Sequence, residues 1–97
     1  MSKLLPNEIK AALAEVPEWQ KKGAAIIRTF EFKDFPQAMK FVNAVAKRAE
    51  KADHHPDIDI RWNKVSLSLS THDAGGLTTK DFELAQVLDQ LNEAQPK

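Results

Sequence analysis

Apolar side chains recur at helical spacing in three stretches of this chain and alternate with polar ones in others. Ile9, Ala12, Leu13 and Val16 fall on one helical face between Asn7 and Val16, with Asn7 placed as the N-cap after Pro6 and Pro17 closing the run. After Trp19, the polar stretch Gln20 to Lys22 meets Gly23, and Ala24 to Phe32 is rich in β-branched and aromatic residues. That predicts a hairpin turning near Gly23. Asp34 then caps a long helix to about Lys51, whose Phe35, Ala38, Met39, Val42, Val45, Ala46 and Ala49 share one face. Phe41 widens that stripe, which fits either a well-buried helix or one whose shoulder meets another subunit.

Two clean alternations follow, Asp57 to Trp62 and Val65 to Ser70, with Asn63-Lys64 as the turn between them. Gly75-Gly76 breaks the chain, Thr78 and Asp81 form a capping-box pattern, and a last helix runs to about Glu93. The predicted order is α-β-β-α-β-β-α. Alternating rather than continuously apolar strands call for one covered face and one wet face. The expected class is therefore α+β, a two-layer sandwich of a four-stranded antiparallel sheet with three helices on one face.

Composition narrows what such a fold can do. At 97 residues, one domain spanning 1–97 is expected, with room for one modest core. Fourteen basic and 14 acidic residues cancel, which argues against direct nucleic-acid binding, since that affinity comes from surplus Lys and Arg. No cysteine is present, so chemistry falls to His, Asp, Glu, Lys, Ser or Thr. Apolar runs such as Ala24 to Ile27 are too short for a membrane span, and no signal-peptide core is evident. A cytoplasmic protein is expected, and a zero net charge permits self-association.

All three histidines lie between positions 54 and 72. Imidazole both gives and takes protons near neutral pH, so a cluster of them suits acid/base work. Pro56 holds His54 and His55 in an extended loop, and if the last strand persists, strand parity turns His72 away from the core with Ser66, Ser68 and Ser70. Three ordinary surface histidines fit the composition as well. Glu50, four residues before His54, is placed either to orient a histidine by accepting its second N–H or as a solvated helix end. Asp81 is either a cap alone or a cap that also faces the histidines. Adjacent side chains in an extended segment point apart, which disfavours His54 and His55 as joint metal ligands. No nucleophile-elbow or phosphate-loop motif occurs.

Taken together, Glu50, His54-His55-Pro56, the aromatic Trp62, His72 and Asp81, at these spacings, resemble the signature of the pterin-4a-carbinolamine dehydratases. Ala74 to Thr78 and Asp81 to Ala85 look like bacterial members. The resemblance implies dehydration of a 4a-hydroxytetrahydropterin to the quinonoid dihydropterin, which recycles the cofactor of aromatic amino acid hydroxylases. It implies no cofactor and no metal. It assigns His54 and His72 as acid and base, Glu50 to assist His54, His55 to catalytic support and substrate binding, and Asp81 and Thr71 to substrate binding. By strand parity with Ile58 and Ile60, Trp62 is expected in the core. A homodimer or homotetramer is implied. The alternative is a nonenzymatic pterin-binding or transcription-coactivator dimerisation module of the same fold. Ile58 and Ala74 depart from the aromatic and the cysteine of animal members.

Overall fold

The runs of helical period fold as helices and the alternating runs as strands. A computed structural model, describing residues 2–95, gives α1 (Pro6–Ala14), β1 (Gln20–Lys22), β2 (Ala25–Glu31), α2 (Phe35–Ala52), β3 (Asp57–Arg61), β4 (Lys64–Leu69), a 3₁₀ turn (His72–Ala74) and α3 (Thr79–Ala94). Residues 1, 96 and 97 of the expected domain range lie outside the described residues. The predicted order and α+β class are those the chain adopts. No helix among the described residues is long and apolar enough to cross a membrane.

Helix α1 starts before the expected cap. Pro6 occupies its first turn, where a fixed φ and a missing N–H cost nothing, and the Glu8 carboxylate accepts the Leu5 N–H at 2.7 Å. In α2, Asp34 Oδ1 accepts the Gln37 N–H at 3.0 Å, as a capping aspartate should. Its buried stripe is Ala38, Phe41, Val45 and Ala49. The Phe41 ring stacks 4.8 Å from Phe30 and 5.0 Å from Phe32. Phe41 therefore serves this chain's own core, the first of the two readings of the broad stripe.

The sheet is antiparallel throughout, in the order β1-β2-β4-β3. Ile26 pairs with Leu69 and Phe30 with Val65, which places these residues and Leu67 on one buried face. Thr29 and Ser66 meet on the opposite face, hydroxyl to hydroxyl at 2.8 Å. Burial on one side alone means that the helices form a single layer over the sheet. Trp19 Nε1 and Arg28 Nη1 both donate to Asp89 Oδ1, at 2.8 and 2.6 Å, and so tie the first hairpin to α3.

Edge strand β3 departs from expectation. Ile58 and Ile60 pair with Leu67 and Val65 on the core side, yet they are 39% and 37% exposed because the helical layer does not reach the edge. Trp62, expected in the core, is 66% exposed. The strand ends at Arg61, so parity no longer governs Trp62, which turns the corner with φ +52°. The turn is accordingly Trp62-Asn63, and Lys64 already pairs with Arg61. Asn63 fixes this turn to the end of β2: its Nδ2 donates to the Phe32 carbonyl at 2.8 Å, and its own carbonyl accepts the Phe32 N–H at 2.9 Å.

Candidate active site

The site begins at the way α2 stops. Asp53 adopts the left-handed conformation (φ +51°, ψ +44°), which aspartate tolerates better than most non-glycine residues. Its N–H reaches the Glu50 carbonyl at 3.2 Å, and the His54 N–H reaches the Ala49 carbonyl at 3.1 Å. This 5→2 and 6→1 pair is a Schellman ending. It swings the chain off the helix axis and sends the next two side chains in different directions.

His54 turns to α3. Its Nε2 lies 2.5 Å from Asp81 Oδ1, with the imidazole 11% exposed and the carboxylate fully buried. The second Asp81 oxygen accepts the Thr71 hydroxyl and the Thr78 N–H, both at 2.9 Å. Since the Thr71 proton goes to Asp81, the Thr78 hydroxyl donates to Thr71 Oγ1, at 2.7 Å. Every polar atom of this buried group has a partner, the condition under which a charge is tolerated away from water. Nε2 is thus the imidazole nitrogen that faces the carboxylate.

His55 turns back to α2, and its Nε2 lies 2.5 Å from Glu50 Oε2. This pair is open to solvent, with side chains 57% and 77% exposed. Glu50 therefore meets His55 rather than His54, which corrects the role the resemblance implied for it. Four-residue spacing brings side chains together only while the helix continues, and α2 ends at Ala52.

His72 is exposed at the start of the 3₁₀ turn, not on a continuing strand, because β4 ends at Leu69. Thr71 links it to the same network: its backbone closes the loop with Gly76, N–H to carbonyl at 3.0 Å, while its hydroxyl holds Asp81. Two assignments of direct substrate contact are thereby revised. The Thr71 hydroxyl and the Asp81 carboxylate are buried and occupied by each other, by Thr78 and by His54. Sequence reasoning gave Thr78 a capping position and nothing more. Its full burial beside a carboxylate is visible only in three dimensions.

Among the described residues, no three His, Asp or Glu side chains converge as metal ligands do. A cavity of about 340 Å³ opens beside His54 between α2 and α3. The class these features define is a two-layer α+β protein in which a buried carboxylate holds a histidine in one orientation.

The family model described as pterin 4 alpha carbinolamine dehydratase matches residues 2–91. A Picosynechococcus protein named "Putative pterin-4-alpha-carbinolamine dehydratase" is 54% identical over 90 residues, covering 93% of this chain and 98% of that protein. A protein of the same name from Acidobacterium capsulatum is 53% identical over 91 residues, covering 94% and 99%. A Brucella melitensis crystal structure described as a transcriptional coactivator/pterin dehydratase superposes with a TM-score of 0.90 at 36% identity, over 94% of this chain and 99% of that one. A pterin dehydratase-like protein described as a RuBisCO assembly factor in the alpha-carboxysome shares the fold, at a TM-score of 0.63 and 24% identity, over 76% and 86%. The chain belongs to the pterin-4a-carbinolamine dehydratase family.

Proposed function

We propose that this protein dehydrates a 4a-hydroxytetrahydropterin to the quinonoid dihydropterin by histidine acid/base catalysis, in support of a pterin-dependent hydroxylase in the cytoplasm. The C4a–O bond breaks as the hydroxyl takes a proton and leaves as water. The N5–H proton goes to a base, and the nitrogen's electron pair forms the N5=C4a double bond. One acid and one base suffice, and no step requires a metal or a redox partner. The observation that supports this most strongly is the buried Asp81–His54 pair, which commits Nε2 to the carboxylate and leaves Nδ1 for the substrate.

His54 and His72 are the acid/base pair of this reading, and His55, held by Glu50, binds the pterin ring. Asp81, Thr71 and Thr78 are positioning residues that act through His54. Positioned acid/base groups contribute on the order of 10²- to 10⁴-fold each. The test follows dehydration of a synthetic 4a-hydroxytetrahydropterin by ultraviolet absorbance. The wild type should exceed the buffer rate, and His54→Ala and His72→Ala should each lose most of that gain. A wild type no faster than buffer sinks the catalytic reading and favours a binding or coactivator module, the role named for the Brucella neighbour.

The active form of this reading is a homodimer or homotetramer. Ile58, Ile60 and Trp62 leave an apolar edge open on β3, and an unpaired edge of that kind is normally covered. Light scattering of the double variant Ile58→Lys/Ile60→Lys should give a smaller particle than the wild type. A wild type already monomeric at micromolar concentration contradicts this part of the proposal.

A further inference from the structure

The cavity beside His54 has a charge the acid/base reading does not use. Arg48 and Lys51 project from the last turns of α2, and Lys80 from the first turn of α3, around a space of about 340 Å³ walled by Leu84. Ion pairs among the described residues involve Arg28, His54, His55 and Arg61, so all three of these cations lack a carboxylate partner. Against them the lining offers one acid, Glu83. Outside the lining, Asp81 pairs with His54 and has both oxygens occupied, Glu50 pairs with His55, and Asp53 caps the end of α2. In a chain whose charges otherwise cancel, this is a local positive surplus in a concave, partly apolar site.

The geometry favours an anion of more than one charge. Guanidinium presents a planar fork that matches phosphate oxygens, and ammonium groups add point charges. Lys80 brings the cavity to the first turn of α3, the positive end of that helix's dipole. The volume lies at the lower end of the roughly 300–1,000 Å³ typical of small-molecule sites, enough for a phosphate group with a short substituent. We infer that this cavity binds a phosphate group, inorganic or esterified, held by Arg48, Lys51 and Lys80 beside His54. An esterified phosphate has a natural source in the side chain of the pterin, a source that rests on the dehydratase reading. Binding of inorganic phosphate does not rest on it.

The test is an amide and imidazole NMR titration of the whole chain at constant ionic strength. Sodium phosphate should move the signals of His54, Lys80 and Leu84 saturably, with chloride as the matched control. The triple variant Arg48→Gln/Lys51→Gln/Lys80→Gln should weaken binding at least 10-fold. Lys10→Gln/Lys21→Gln, on a separate groove, should bind as the wild type does. Should the triple variant fail to fold by circular dichroism, Lys80→Gln alone should still weaken binding several-fold. A second arm compares neopterin with its phosphate monoester. A monoester advantage of 10-fold or more, abolished in the triple variant, identifies the substrate as the source, and saturable inorganic phosphate without that advantage identifies free phosphate. Shifts that do not saturate, that chloride reproduces, or that persist undiminished in the triple variant overturn the inference.

Discussion

His54 and His55 are neighbours in the chain, and each sets Nε2 2.5 Å from a carboxylate oxygen, yet the two pairs live in different physical worlds. His54 meets an aspartate with no exposed surface, whose other oxygen is held by Thr71 and Thr78. His55 meets a glutamate that is 77% exposed. Distance alone ranks them equal, whereas burial separates them. Water competes for the Glu50 pair and salt screens it, so it orients His55 at little energetic consequence. The Asp81 pair cannot be loosened without stranding a charge inside the protein. The contrast teaches that one histidine is built into the fold and the other is hung on its surface, and the two are suited to different work.

The largest effect that would sharpen this contrast is expected from Asp81→Ala. It removes the partner of a nearly buried imidazole and leaves the Thr71 hydroxyl and the Thr78 N–H short of an acceptor. Breaking a buried pair of this kind costs roughly 3–5 kcal/mol, which urea unfolding should register as a matching fall in midpoint. A loss under about 1 kcal/mol would place this pair in the same class as His55–Glu50. Next comes Thr71→Val, which keeps the shape but deletes one donor to Asp81 and the acceptor of Thr78. A cost of about 1–3 kcal/mol is expected from an unsatisfied buried group, and an unchanged melting temperature would show that the network is not closed as described. The smallest effect belongs to Glu50→Gln, with less than about 1 kcal/mol of stability at low salt and no measurable difference at high salt. Glu50→Gln destabilising as much as Thr71→Val would erase the distinction.

Much of this was legible from residue spacing. The periods of the helices, the Asp34 cap and the alternation of β4 each follow from local rules that the core then reinforces. What local rules missed has a common cause. The family resemblance gave Glu50 to His54, but a left-handed Asp53 ends the helix between them and Glu50 meets His55. Trp62 was placed inside by counting twos past the end of a strand that stops at Arg61. Asp81 was legible as a cap, and Thr71 was drawn in by the family signature. Their mutual hydrogen bond joins residues ten apart across a loop, a contact that no period announces. The cations of the His54 cavity come from two helices and form no motif in either.

Whether His54 and Asp81 act as one unit in the proposed proton transfer is read from a double-mutant cycle on the dehydration rate. Residues that work through each other are strongly non-additive. His54→Ala and Asp81→Asn are each expected to slow the reaction, and the double variant to be no slower than His54→Ala alone. Independent, multiplying losses in the double variant, or a His54→Ala enzyme as fast as the wild type, would contradict it.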